Sequence, residues 1–582
     1  MRGRILCLAA VLILTAAALC GCQAEHDISA FTEKAALLRQ SALADWVRLE
    51  LGVNPAGDAG NAVFFSVCDG TKRADIYTGT GATVDEAWDS AVDKAGQALK
   101  ESGMEPRWVK ADVVYLSQGV TEAELEETVL NCRQEFFRYG AAFDSGFETA
   151  LLESELNGAK IYDYENGGVS MEALNLYLEK AGRPAVKALP PRFTLFQTAG
   201  WLCDEDNTVY ELNASGLSAG RRKVEQVDAD YVKERILKAS AFLEGQVKED
   251  GSFIYGWYPR FDNEIDNYNM VRHAGTLWAL LCRYRMAPSE SLAEKLHRTA
   301  GYTLAQLRYD EAGRAYLYEA KSDEIKLGGC GVAVVALTEY MDVFQTEEYR
   351  EVCEALGEGI LTMLDLESGE YYHVLNGDFT PKERQRTVYY DGEATFALCR
   401  LYGLTGEARW LEAARAAVDR FIREDYTQYR DHWVAYAMNE ITRYIPDNPD
   451  YYAFALANAQ KNLEFITSRD TTSPTNLELL MAAFQVYDRL AEQGGTAANF
   501  DLEGLLRAIY TRADRQLDGY FFPEYAMYMR NPQRILDTFM VRNDGFRVRI
   551  DDVQHNIGGY YLYYTWYDKL VQYGLTEAAG LA

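Results

Sequence analysis

Asn267-Tyr-Asn-Met-Val-Arg-His-Ala-Gly-Thr-Leu-Trp-Ala-Leu-Leu-Cys282 decides how the chain is read. Its second half is apolar on every side, with Met270, Val271, Ala274, Leu277, Trp278, Leu280 and Leu281. A helix without a polar stripe has no solvent face, so other helices must surround it. Its first turn differs, because Asp266, Asn267, Asn269, Arg272 and His273 gather there. A buried rod with a polar tip is expected to be a wall helix whose decorated end opens into a cavity.

The pattern repeats from about residue 228 onward. Amphipathic helices are predicted over 230–247, 289–307, 346–364, 406–422, 450–466 and 502–517. Nearly all-apolar helices are predicted over 269–283, 328–344, 392–402, 432–444, 476–490 and 555–570. Six of each in strict alternation make six helical hairpins. A Gly-aromatic phrase follows four of the amphipathic helices, at Gly251, Gly313, Gly369 and Gly519, as expected of helix stops. Six hairpins of this kind close into an (α/α)6 toroid with a buried inner ring and a wetted outer one. The competing arrangement is an open superhelix.

Residues 24–223 mix strand and helix signals and are expected to form a small α+β domain. Strands are predicted over 61–68, 108–116, 193–198 and 208–212. Thr83-Val-Asp-Glu86 and Thr121-Glu-Ala-Glu124 are capping boxes, opening helices over 87–101 and 123–139. Gly216-Leu-Ser-Ala-Gly220 matches the nucleophile-elbow pattern, but Arg221, Arg222 and Lys223 follow where a helix is required. It is expected to be a linker.

The first 22 residues carry a targeting signal. Arg2 and Arg4 precede an apolar run over 5–19, and Leu19-Cys20-Gly21-Cys22 resembles a bacterial lipobox. Cys22 is therefore expected to carry lipid, tethering an extracytoplasmic protein to a membrane. The alternative is an uncleaved anchor helix. No later stretch reads as a second span. The seven cysteines beyond Cys22 have an odd count and no regular spacing, which argues against a disulfide framework. No metal-binding motif is visible, and no metal or cofactor is expected. A net charge of −30 over 582 residues argues against nucleic acid and anionic membrane surfaces as partners.

The alternating hairpins and polar tips resemble the six-hairpin toroid enzymes, namely the glycosidase-like toroids and the N-acylglucosamine 2-epimerase group. The resemblance covers about 228–574. It implies a funnel at the N-terminal ends of the inner helices that binds a carbohydrate. Glycoside hydrolysis requires two carboxyl groups, one protonated and one ionised. Glu393 and Asp552 are the expected pair, with Asp391, Asp431 and Asp551 in reserve. Epimerisation requires two bases, and the epimerase group places histidines on inner helices four and six, where His432 and His555 fall. That group carries a Glu one turn after the first histidine, where this chain has Ala435. His273 is a third candidate on a helix tip, and His373 lies in a nearby loop.

Asn267, Arg272, Arg384, Arg386, Tyr390, Trp433, Arg547 and Arg549 are the expected substrate-binding set. Clustered arginines suit oxyanions, because the planar guanidinium binds them bidentately. An acidic sugar such as a uronic acid is the expected substrate. Three functions stay open: a glycoside hydrolase, a sugar epimerase or uronyl-modifying enzyme, and a glycan-binding or assembly lipoprotein without chemistry. Sequence does not speak to oligomeric state.

Overall fold

A computed structural model describes residues 26–46, 61–144 and 146–581. The leader over 1–22 and its Cys22 lie outside the described residues. The chain divides into two compact units. The first runs to Asn131, resumes over Phe137–Lys223 and includes the short segment Pro523–Tyr528; the second comprises Cys132–Phe136, Val224–Phe522 and Met529–Ala582.

The first unit contains α1 (Ser29–Trp46), β1 (Asn61–Cys68), β2 (Asp75–Gly81), α2 (Val84–Ser102), β3 (Trp108–Thr121), α3 (Glu122–Leu130), β4 (Gly140–Ala142), β5 (Ala150–Leu151), α4 (Met171–Lys180), β6 (Arg192–Cys203) and β7 (Val209–Glu211). The strands form one antiparallel sheet in the order β2-β1-β3-β6-β4-β5, with β7 pairing the far end of β6. Alternation along β1 sends Val63, Phe65 and Val67 toward α1 and α2, where they meet Phe31, Leu38, Trp88 and Leu99. Thr83 caps α2 by accepting the Glu86 N–H, and Gly103 ends it at a left-handed φ of 67°.

Two expectations here need correction. The strands over 108–116 and 193–198 are longer, because β3 and β6 pair along almost their whole length. The helix over 123–139 stops at Leu130, and Glu135 adopts a φ of 61°, which an α-helix does not accommodate. Gly216 and Gly220 both take a φ of 80°, and no helix follows until Ala229. That segment is a turn, not an elbow.

The second unit is helical. Its outer helices are α5 (Ala229–Gln246), α7 (Glu290–Ala305), α9 (Arg350–Thr362), α11 (Ala408–Arg423), α13 (Pro449–Gln460) and α15 (Leu502–Gln516). Its inner helices are α6 (Met270–Met286), α8 (Leu327–Phe344), α10 (Tyr389–Thr405), α12 (His432–Tyr444), α14 (Thr475–Glu492) and α16 (Ile550–Gln572). Each inner helix packs on the next, and α16 packs back on α6. The ring is closed, as an (α/α)6 toroid, and each outer helix lies against the inner ring.

Burial follows the sequence pattern. α11 buries Trp410, Ala413, Ala414, Ala417, Val418 and Phe421, one stripe at helical spacing. α8 buries every residue from Leu327 to Met341. That helix is long and apolar enough to cross a membrane, although no second span is expected from sequence; 83% of its apolar window is buried inside the ring. The helix predicted over 450–466 breaks after Gln460. The Asn462 side-chain amide donates to the carbonyls of Thr427 and Asn458 and ties the break to neighbouring chain. All seven cysteines of the described residues are free thiols, and six are buried.

Candidate active site

A cavity of about 380 Å³ opens among the N-terminal ends of the inner helices. Asn269 and Arg272 come from α6, Tyr389, Tyr390 and Glu393 from α10, and His432 and Trp433 from α12. Thr475 comes from α14, and Arg549, Asp551, Gln554 and His555 come from the start of α16. α8 contributes space instead of a side chain. A Cβ on Gly328 would lie 1.8 Å from Glu393 Oε2, so only glycine leaves room for that carboxyl.

Glu393 is 4% exposed, and its Oε2 has no hydrogen-bond partner. Burial first, and the charge of Asp431 second, push its pKa well above the usual carboxylate range, against a smaller opposing pull from Arg272. Its surroundings favour the neutral acid over the carboxylate. Asp431 caps α12, accepting the Trp433 N–H at 2.8 Å, and burial raises its pKa to about 8.

Asp551 is the opposite case. Arg272 Nε donates to its Oδ2 at 2.9 Å and Arg549 Nη2 at 2.7 Å, while Arg549 Nε donates to Oδ1. Burial works against the charge, but the Arg549 hydrogen bond and the two guanidinium charges outweigh it and hold the pKa below the usual value. Arg272 also donates to Tyr255 OH at 2.6 Å. The cavity thus holds two carboxyl groups on different inner helices whose pKa values are pushed in opposite directions.

The third cluster is His432, Glu478 and His555. Glu478 is fully buried on α14. Its Oε1 accepts the Tyr436 hydroxyl at 2.9 Å, and its Oε2 lies 2.9 Å from His555 Nδ1 and 3.8 Å from His432 Nε2. The two imidazoles meet edge to face, with centroids 5.0 Å apart. Burial opposes charge on His555, but Glu478 outweighs it by charge and hydrogen bond, so its pKa is raised. Burial, and then His555, push the His432 pKa well below 6.5. His432 is 2% exposed, and neither ring nitrogen has a hydrogen-bond partner.

Of the residues expected from sequence, Glu393, His432, His555, Arg272, Tyr390, Trp433 and Arg549 line the cavity. The others do not. Asp552 is held by Arg547, whose Nε and Nη2 each donate to it at 2.9 Å, and its neighbour Asp551 lines the cavity instead. One step along a helix turns a side chain by about 100°, so adjacent acids cannot share a direction. His273 is fully buried between α6 and α7. Tyr268 OH lies 2.7 Å from its Nδ1, and Thr303 Oγ1 3.1 Å from its Nε2; burial lowers its pKa to about 4. It is a neutral pin. Arg384 is exposed and pairs with Glu370, whereas Arg386 pairs with Glu324 and Glu383. Asn267 is exposed ahead of α6. His373 Nε2 lies 2.8 Å from Asp391, which also accepts the Tyr426 hydroxyl, so both acid and histidine anchor a loop. Glu478 and Asp551 are the two members that the expected pair and binding set omit.

No protein-family model and no curated protein matches this sequence. Solved structures do. A D-mannose isomerase is 10% identical, covers 57% of this chain and 97% of its own, and has a TM-score of 0.44. The cellobiose 2-epimerase of Bacillus thermoamylovorans B4167 is 14% identical, covering 49% of this chain and 86% of that one, with a TM-score of 0.41. The unsaturated glucuronyl hydrolase of Bacillus sp. GL1 is 13% identical, covering 58% and 96%, with a TM-score of 0.42. These activities belong to those proteins; what this chain does rests on its own side chains.

Proposed function

We propose that the protein is an extracytoplasmic, lipid-anchored enzyme acting on carbohydrate, and that it hydrolyses a glycosidic bond with Glu393 as general acid. One observation carries this reading: a buried carboxyl, unpartnered at Oε2 and with its pKa pushed well above the usual carboxylate range, lines a sugar-sized cavity. Such a group can give its proton to a leaving glycosidic oxygen. Asp551 supplies the second carboxyl, kept ionised by Arg272 and Arg549 and able to face the positive charge that develops at the anomeric carbon. Tyr389, Tyr390 and Trp433 offer ring faces for the sugar. Arg272 and Arg549 bring two cations against one aspartate, which favours a substrate with a carboxylate such as a uronic acid.

A second reading is carbon epimerisation or isomerisation by His432 and His555, supported by two adjacent imidazoles whose pKa values are pushed in opposite directions. Rings 5.0 Å apart leave no room for a sugar carbon between them. They suit a proton shuttle on one face of the sugar better than bases on two faces.

The test is to incubate the purified protein with neutral and uronate-containing oligosaccharides in deuterated water and follow product mass. Cleavage with addition of one water, faster on the uronate and lowered about 10²–10⁴-fold in Glu393→Gln, is the expected result. Unchanged chain length with deuterium at carbon would replace hydrolysis by the second reading. Binding without either product would leave a glycan-binding protein.

A further inference from the structure

We propose that His432, Glu478 and His555 form a binding site for one first-row divalent metal ion, with zinc as its reference occupant, facing the cavity. Their nearest donor atoms all lie within 4.8 Å of one another. Donors about 2.0–2.2 Å from a common ion are themselves roughly 3.0–3.6 Å apart. The observed separations from Glu478 Oε2, 2.9 Å to His555 Nδ1 and 3.8 Å to His432 Nε2, bracket that range.

The second observation is His432 itself. It is 2% exposed, yet neither nitrogen has a hydrogen-bond partner. An imidazole buried without partners is costly, and buried polar groups in folded proteins are nearly always satisfied. Its Nε2 and His555 Nδ1 both approach Glu478 Oε2, so an ion there would take one donor from each of the three groups. Glu478 is oriented for the role. Tyr436 OH donates to its Oε1 at 2.9 Å and leaves Oε2 for the ion, the usual arrangement of a supporting hydrogen bond behind a ligand. A Cβ on Gly558 would lie 2.6 Å from Glu478 Oε1, so the backbone of α16 also leaves space for this carboxylate.

The donor set selects the ion. Two imidazoles and one carboxylate suit zinc and its neighbours, whereas calcium and magnesium take mostly oxygen ligands. Three protein ligands also leave a coordination position open, as in catalytic and not closed structural sites. His432 and His555 line the cavity, so the open position faces the substrate space. This site stands apart from the role of Glu393. It would place a Lewis acid in the cavity beside a proton donor and coordinate a sugar hydroxyl or carboxylate oxygen.

Calorimetric titration of the chelator-treated protein with zinc chloride tests the site without any substrate. One equivalent is expected to bind, while magnesium and calcium give no heat. Glu478→Gln and His432→Ala should abolish the binding. Tyr436→Phe, which keeps all three ligands, should weaken it about 10-fold. Circular dichroism of the metal-free variants separates lost ligation from lost folding. Zinc-edge anomalous scattering from a zinc-soaked crystal should place the ion among the three residues. No zinc binding, binding that survives in both folded ligand variants, or an anomalous peak elsewhere would overturn the proposal in favour of a His555–Glu478 ion pair alone. Hydrolysis that fails while zinc binds, or the reverse, would tell the two readings apart.

Discussion

Glu393 binds its proton more tightly in the folded protein than in the unfolded chain. Its pKa is raised well above 4.5, by burial first and by Asp431 second. The sign of the linkage follows. This group's contribution to stability is fully present below pH 4.5 and is lost as pH rises through the folded pKa. Glu393→Gln keeps the shape and cannot ionise, so it removes that loss. Chemical denaturation at pH 5 and pH 8 should show the native protein losing more stability between the two than the variant loses. Activity should move the same way, falling on the alkaline side in the native protein as the acid deprotonates. A pH–rate profile that rises through the same range would assign Glu393 a different role. That Glu393 lies at the cavity was readable from sequence, because it stands in the first turn of a nearly all-apolar helix. Its partner was not. Choosing between Asp551 and Asp552 requires knowing how α16 is rotated about its axis, and an all-round apolar helix carries no stripe that reports that rotation.

At the scale of elements, the alternation of stripes and apolar rods gave each hairpin its place, but not how closely the rods approach. Gly328, Gly329 and Gly331 read in sequence as little more than an apolar helix start. In the structure a Cβ on Gly328 would meet Glu393 Oε2 at 1.8 Å and the Tyr390 ring at 2.5 Å, and one on Gly331 would meet the Glu393 backbone at 2.8 Å. α8 therefore shapes the cavity by being thin where α10 carries its acid. Gly328→Ala should cost about 1–3 kcal/mol of stability, since the buried Glu393 carboxyl and the Tyr390 ring must both shift to admit a methyl group. It should also displace the Glu393 carboxyl and lower kcat by about 100-fold, as small misplacements of catalytic groups do. Gly329→Ala is the control: its nearest neighbour would be the Leu317 side chain at 3.5 Å, an ordinary contact, so stability and kcat should stay near native values. The same limit hid the grouping of Glu478 with two histidines, although the acid itself stands at an inner-helix start. Its cluster draws one donor from each of α12, α14 and α16, tens of residues apart, and no local spacing motif joins them.

For the molecule as a whole, closure of the ring is the feature with the largest physical consequence. Regular alternation alone fits an open superhelix as well as a toroid, since each hairpin would bury its inner helix against its neighbours in either. What settles the matter is a contact between helices at opposite ends of the repeat. α16 packs on α6, and Arg272 Nε meets Asp551 Oδ2 at 2.9 Å across 279 residues of sequence. No window of sequence contains that pair. An open array has terminal repeats that fray first, so its stability is a sum of local terms. A closed ring has no terminal repeat, and damage at the seam is felt by every hairpin. Arg272→Ala leaves the Asp551 charge buried with Arg549 as its remaining partner, and should cost about 3 kcal/mol. Hydrogen exchange then distinguishes the architectures. Protection should fall together in α8, α10 and α12, which lie away from the seam, as a closed ring requires, and not only in α16, α6 and α14, which local damage alone would produce.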